Sequence, residues 1–183
     1  MKFKKLIGYY DYTVVLTYAG MLSAFAGILN VIKERYFTAV IFLMLAGICD
    51  MFDGAVASTK DRTKSEKRFG IQIDSLSDLI SFGVLPGVFT YMVCGKTMLS
   101  GIIAGFYVLM GLIRLAYYNV TEEERQETET GCRKCFCGVP ITTIVLFLPI
   151  IHVLVANGKL PDYYSYIVLL TVMGIGFVTP VEI

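Results

Sequence analysis

Four aspartates, Asp50, Asp53, Asp74 and Asp78, stand at the facing ends of two strongly apolar stretches of a 183-residue chain. Asp50 and Asp53 are three residues apart, and Asp74 and Asp78 are four apart. On helices each pair therefore projects from a single face. Carboxylates at the edge of apolar sequence are costly unless something compensates them, and four gathered at one point repel one another strongly. Divalent cations held between them would remove that repulsion. An oxygen-only donor set suits Mg²⁺ or Mn²⁺, and a pair of such ions suits displacement at phosphorus. The competing reading is a set of interfacial carboxylates paired with Lys60, Arg62, Lys64, Lys67 and Arg68. It leaves the helical spacing beside two glycines, Gly54 and Gly70, without an explanation.

The elements that would carry these acids are membrane helices. The chain is 56% hydrophobic, more than a soluble domain of this size needs. Stretches of about 20 largely uncharged residues recur, each long enough to cross a bilayer. Six spans are predicted, at about Tyr12–Ile32, Phe37–Ala57, Asp74–Cys94, Met98–Tyr118, Val139–Ala156 and Tyr163–Val178. The expected fold is thus an all-α integral membrane protein with six transmembrane helices. There is no internal repeat, so residues 1–183 are read as one domain.

Charge sets the orientation. With a cytoplasmic N-terminus, that side receives Lys2, Lys4, Lys5, Lys60, Arg62, Lys64, Lys67, Arg68, Arg125, Arg133 and Lys134, against Lys33, Arg35, Lys96 and Lys159 opposite. The excess of positive residues places both termini inside and the four aspartates at the cytoplasmic face of the cell membrane. The start carries no signal-peptide pattern, and the net charge of +1 gives no indication of nucleic-acid binding.

The core reads Asp50-Met-Phe-Asp53-Gly54-Ala-Val-Ala57, then Gly70-Ile-Gln-Ile-Asp74-Ser-Leu-Ser-Asp78. It resembles the signature of the CDP-alcohol phosphotransferase family, D-x-x-D-G-x-x-A-R followed by G-x-x-x-D-x-x-x-D. DSLSDLISFG from Asp74, RLAYYN from Arg114 and GVP from Gly138 extend the resemblance to the phosphatidylserine synthase branch. Members of that branch move a phosphatidyl group from CDP-diacylglycerol to L-serine and release CMP. The resemblance implies that Asp50, Asp53, Asp74 and Asp78 hold two Mg²⁺ or Mn²⁺ ions and that Asp78 takes the proton of the attacking hydroxyl. It implies that Gly54, Ala57 and Gly70 line the nucleotide site, and that the protein is a homodimer in membrane lipid. Small residues there would let a nucleotide approach the backbone.

Two departures stand out. Ser58 occupies the position of the family arginine, and the stretch from there to Gly70 is three residues longer than usual. Three residues are close to one helical turn, so the insertion is expected to lengthen the second helix. Lys60 or Arg62 would supply the missing cation.

Elsewhere, Arg114 lies in apolar surroundings. It reads as an anchor for a lipid phosphate or the serine carboxylate, or as an arginine snorkelling to water. Asn119 is a candidate to orient the same region. His152 reads as a packed helix residue, and Gly83, Pro86 and Gly87 predict a kink. The acidic run Glu122, Glu123, Glu124, Glu127 and Glu129 reads as a solvated loop or helix extension. Cys132, Cys135 and Cys137 form C-x-x-C-x-C, but His152 is too deep in an apolar stretch to complete a zinc site. Reduced thiols are the preferred reading.

Two other functions compete. A transferase of the same family could use glycerol 3-phosphate or an inositol phosphate, which should demand extra cations around the acceptor. A divalent cation transporter would place acids near the bilayer midplane and in further helices, whereas these acids cluster at one edge.

Overall fold

The computed structural model describes residues 8–10, 12–128 and 138–180, without the side chains of 125–128 and 162. Cys132, Cys135 and Cys137, Glu129, and the cations Lys2, Lys4, Lys5, Arg133 and Lys134 lie outside the described residues, as do the side chains of Arg125 and Glu127. The described residues are helical and contain no strand. A 3₁₀ turn at Tyr12–Val14 leads into α1 (Val15–Ile32), followed by α2 (Tyr36–Ala57) and α3 (Lys64–Asp78). A π-helical segment, Leu79–Val84, joins α3 to α4 (Leu85–Val93). Then come α5 (Met98–Thr128), a 3₁₀ turn at Ile141–Thr143, α6 (Ile144–Ala156) and α7 (Asp162–Val178).

Among the described residues, four stretches are long and apolar enough to cross a membrane: Tyr12–Ile32, Tyr36–Ala57, Lys64–Val93 and Met98–Glu124. Ile141–Ala156 and Tyr163–Val178 are apolar but shorter. At 1.5 Å per residue each reaches about 24 Å, less than the roughly 30 Å of a hydrocarbon core. Large apolar side chains such as Phe25, Met44, Leu109, Leu146 and Val172 point outward from five different helices. In water such a surface would drive association; against lipid it is an ordinary exterior. The chain is a multi-pass membrane protein.

Inside the bundle, α1 packs on α2 along a seam of small residues. Ala24 is fully buried and meets Ala39, Leu43 and Ala46 in one core. A methyl group on Gly20 would lie 3.2 Å from Cys49 Cβ, and one on Gly27 would lie 3.0 Å from Leu85 Cδ2. Without a buried apolar-versus-water difference to drive them, membrane helices associate through this kind of close approach. Ser23 Oγ adds a hydrogen bond to the Phe42 carbonyl, 2.9 Å.

The third helix departs from expectation at its start. It begins at Lys64 rather than near Asp74. Thr63 and Glu66 form a capping box, the Glu66 carboxylate accepting from Thr63 N at 2.8 Å and Thr63 Oγ1 accepting from Glu66 N at 3.3 Å, which satisfies the orphan donors of a helix start. The inserted residues therefore do not lengthen α2, which ends at Ala57. They form the connection to an earlier α3. The fourth span also runs further, carrying Glu122, Glu123 and Glu124 on α5 as a helix extension.

The kink predicted from Gly83, Pro86 and Gly87 takes the form of the π-helical segment. Pro86 has no N–H, so the Phe82 carbonyl four residues earlier loses its helical donor. Tyr107 OH of α5 donates to that carbonyl instead, at 2.7 Å, and both residues are buried. Gly87 lets α5 come close, since a methyl there would lie 3.2 Å from Val108 Cγ2. At the far end of the bundle, Lys96 pairs with Glu34 at 3.7 Å and Thr97 bonds to Tyr163 OH at 3.2 Å. His152 is a packing residue: its Nδ1 is 2.8 Å from Tyr166 OH and its ring stands edge-on to Phe89.

Removing the Tyr107 hydroxyl takes a donor from the buried Phe82 carbonyl. Tyr107→Phe is expected to cost about 1–3 kcal/mol, read as a lower thermal unfolding midpoint in detergent. An unchanged midpoint would mean that another donor reaches Phe82.

Candidate active site at the α2–α3 end of the bundle

The acids are delivered by three contacts between helices. Asp50 and Asp53 leave the last two turns of α2, and Asp74 and Asp78 leave the last turns of α3. Thr17 Oγ1 of α1 donates to Asp53 Oδ2 at 3.1 Å, and Ser77 Oγ of α3 donates to the Thr17 carbonyl at 3.2 Å. One residue of α1 thus ties both acid-bearing helices together. From the other side, Ser75 Oγ donates to Asn119 Oδ1 at 2.9 Å, and Asn119 Nδ2 reaches Gln72 Oε1 at 3.5 Å. Asn119 is buried and holds α3 against α5.

Carboxylate oxygens of Asp50, Asp74 and Asp78 all lie within 4.8 Å of one another. Asp53 lies close to Asp74, as Asp50 does to Asp78, near enough for their charges to interact. Each ionised pair at 4.8 Å would repel by about 3.5 kcal/mol at an effective dielectric of about 20. Such proximity holds only with a proton or a cation between the carboxylates. The donor set is entirely carboxylate oxygen, which fits a hard divalent cation. Among the described residues it is the one cluster that could hold a metal ion.

Two clefts open on the acids and share Asp74. The first, about 210 Å³, contains Asp53, Gly54, Ala57, Arg62, Gly70 and Asp74. A methyl group on Gly54 would meet nothing within 4 Å, so helix packing does not account for the glycine. It leaves the cleft floor open. The second, about 240 Å³, contains Asp50, Asp74, Asp78, Ser75, Arg114 and Tyr118, closed by Pro140 and Ile141. Arg114 also borders a groove of about 330 Å³ with Ile113, Tyr117, Phe177 and Val178. That groove shares Arg114 and Tyr118 with the second cleft and is otherwise lined mainly by apolar side chains.

The structure therefore brings together Asp50, Asp53, Gly54, Ala57, Gly70, Asp74, Asp78 and Arg114. Asn119 bonds to α3 and lines neither cleft. Thr17 and Gln72 are not singled out by the sequence, and no local pattern marks them, since their partners are 36 and 47 residues away. Gly138 of the GVP triplet sits at φ +77°, and a methyl on it would lie 2.7 Å from the Phe177 carbonyl oxygen. Val139 N donates to the Gly176 carbonyl at 3.1 Å. The triplet thus pins the wall of the second cleft to α7.

The site is thus a carboxylate cluster with adjoining clefts at one end of a membrane helix bundle. The family model for CDP-alcohol phosphatidyltransferase matches residues 13–178. The chain belongs to that family. It is 36% identical over 143 residues to the CDP-diacylglycerol–serine O-phosphatidyltransferase of Saccharomyces cerevisiae, covering 72% of this chain and 51% of that one. It is 32% identical over 166 residues to the archaetidylserine synthase of Methanothermobacter thermautotrophicus, covering 90% and 64%. The Bacillus subtilis CDP-diacylglycerol–serine O-phosphatidyltransferase is 26% identical over 164 residues, covering 83% and 90%. The match spans about half of the yeast relative and just under two thirds of the archaeal one.

Mn²⁺ titrated into the detergent-solubilised protein is expected to be taken up saturably, followed by electron paramagnetic resonance. Loss of a metal's outer partners alone costs about 10–100-fold in affinity. Asp74→Asn, which alters the acid common to both clefts, is expected to weaken uptake by at least as much. Equal uptake by that variant would remove Asp74 from the metal site.

Proposed function

We propose that this chain transfers the phosphatidyl group of CDP-diacylglycerol to L-serine, forming phosphatidylserine and releasing CMP. The observation that carries this reading is the convergence of four acids between two clefts, one lined with small residues and one sharing Arg114 and Tyr118 with an apolar groove. The names of the yeast and Bacillus relatives support the donor and the acceptor. Residues 1–183 form a single domain in this reading.

Asp50, Asp53, Asp74 and Asp78 would hold two divalent ions, Mg²⁺ or Mn²⁺. When bound, these supply positive charge at the pyrophosphate and at the departing CMP. Gly54, Ala57 and Gly70 give the nucleotide room against the α2 and α3 backbones. The groove beside Arg114 receives the glycerol end of the lipid, and the Arg114 guanidinium forks onto the phosphate or the serine carboxylate. Asp78 accepts the proton of the serine hydroxyl, the serine oxygen forms the new bond to phosphorus, and the bond from phosphorus to CMP breaks. Asn119 acts by holding α3 rather than by touching substrate.

All six apolar helices cross the membrane in this reading, the two short ones where the bilayer is locally thinned. Lys60, Arg62, Lys64, Lys67 and Arg68 adjoin the acids, while Lys33, Arg35, Lys96 and Lys159 stand at the other end. The charge bias supports a cytoplasmic site with both termini inside the cell membrane, and family resemblance supports a homodimer. Clustering of the acids at one end favours an enzyme over an ion path, which needs acids at depth.

Purified protein with CDP-diacylglycerol and Mg²⁺ or Mn²⁺ is expected to release CMP with serine, and not with glycerol 3-phosphate or inositol phosphate. Turnover without serine, or preference for a phosphorylated acceptor, would reject the assignment. A positioned base is worth about 10²–10⁴-fold, so Asp78→Asn should lower kcat by that range while the protein elutes as wild type. Undiminished turnover would exclude Asp78 as the base. Arg114→Ala is expected to raise KM for lipid or serine about tenfold, the worth of a charged hydrogen bond, with Mn²⁺ affinity unchanged. Unaltered kinetic constants would place Arg114 outside the site.

A further inference from the structure

The family signature has an arginine after its alanine, and this chain has Ser58. Ser58 is exposed, its Oγ donates back to the Ala55 carbonyl at 2.7 Å, and it lies outside the first cleft. The cleft nevertheless contains a cation. Arg62, from the lengthened connection between α2 and α3, lines it beside Asp53, Gly54 and Gly70. The other basic candidate on that connection, Lys60, pairs with Glu66 at 3.8 Å. Arg62 Nε is buried and has no hydrogen-bond partner, an arrangement that costs free energy unless a ligand acceptor completes it.

The surrounding residues hold Arg62 at this place. The capping box of Thr63 and Glu66 fixes the next residue in the chain, and Thr59 Oγ1 meets Tyr12 OH at 3.0 Å. Gly70 leaves the space the guanidinium uses: a methyl group there would stand 3.0 Å from Arg62 Nη1. Charge identifies the ligand. Two divalent ions would balance four carboxylates and leave nothing over for a dinegative pyrophosphate. A further cation at the cleft wall, planar and rich in donors, supplies what is missing.

We propose that Arg62 binds the pyrophosphate of the cytidine nucleotide, taking from the inserted segment the role left open by Ser58. The proposal rests on the nucleotide reading of the first cleft. It adds that the three-residue insertion and the loss of the motif arginine are one compensated change. Gly70 is then required for Arg62's position as well as for nucleotide approach.

The test is calorimetric titration of CDP, with Mg²⁺ present, into detergent-solubilised protein, alongside CMP-release kinetics. Arg62→Gln should weaken CDP binding and raise KM for CDP-diacylglycerol by about tenfold, the worth of a charged hydrogen bond, with KM for serine and Mn²⁺ uptake unchanged. Arg62→Lys should recover part of the loss, and Ser58→Arg introduced into Arg62→Gln should recover more. Lys60→Gln should bind CDP as wild type does. Gly70→Ala should resemble Arg62→Gln, since its methyl displaces the guanidinium. Wild-type CDP affinity in Arg62→Gln, or an equal loss in Lys60→Gln, overturns the role of Arg62 and leaves the transfer reaction standing. Failure of the wild-type protein to bind CDP or to release CMP overturns both. An unfolded Arg62→Gln protein, detected by size-exclusion chromatography, passes the decision to Arg62→Lys, which keeps the charge and loses the planar fork. That variant should bind CDP more weakly than wild type, and equal affinity overturns the proposal.

Discussion

Mutual repulsion among carboxylates at the end of an apolar bundle is the constraint on which the rest of this structure depends. Asp50, Asp74 and Asp78 are held with their oxygens inside 4.8 Å of one another, closer than ionised groups stay unaided. Rigid neighbours must therefore hold them. Thr17 on α1 binds Asp53 through its hydroxyl and Ser77 through its carbonyl. Asn119 on α5 takes Ser75 and Gln72 of α3. The small-residue seam of Gly20, Ala24 and Gly27 is what brings α1 close enough to α2 for the first of these contacts to form. Packing far from the acids thus sets the distance between them.

The π-helical segment directly after Asp78 serves the same end. A wider turn changes the angular register between the helices on its two sides. The polar, acid-bearing face of α3 and the buried apolar face of α4, with Leu85 and Phe89 in the core, can then both be satisfied along one 30-residue span. Uninterrupted α-helix would fix those two faces relative to each other by the 3.6-residue period alone. Pro86 blocks the ordinary hydrogen bond at the join, and the buried Tyr107 hydroxyl takes over the carbonyl that Pro86 frees. The distortion is supported from a neighbouring helix, which makes it a fixed feature of the fold.

Much of this is legible in the sequence, and the exceptions share a cause. Acid spacing, the two glycines and the helical spans are local features, and local periodicity reports them. The kink at Gly83, Pro86 and Gly87 is visible as a weakness, but its π-helical form depends on Tyr107, 25 residues away from Phe82. The early start of α3 is present locally in Thr63-x-x-Glu66, a capping signal masked by the charged composition around it. Asn119 looks like a substrate contact because it is polar beside an apolar stretch. Its bonds to Ser75 and Gln72 are contacts that no local pattern could reveal. The choice between Lys60 and Arg62 is likewise open in the sequence, and the Lys60–Glu66 ion pair decides which of them is committed elsewhere.

Asp74 belongs to both clefts, and that shared position constrains any reaction at the site. A group spanning both clefts would have its middle beside Asp74, with one flank in the cleft of Gly54, Ala57 and Gly70 and the other toward Arg114, and an anionic centre there would need cations held by the acids. The first flank is open at Gly54 and polar at Arg62. The second shares Arg114 and Tyr118 with a groove lined by Ile113, Phe177 and Val178. A molecule that is polar at one end, apolar at the other and phosphorylated between them matches this order, and it matches in one direction only. Reversal would put an apolar chain against Arg62 and a polar head in the apolar groove, at the cost of desolvating charge on both sides. In the transfer reaction we propose, that asymmetry would turn one side of the phosphorus toward Asp78.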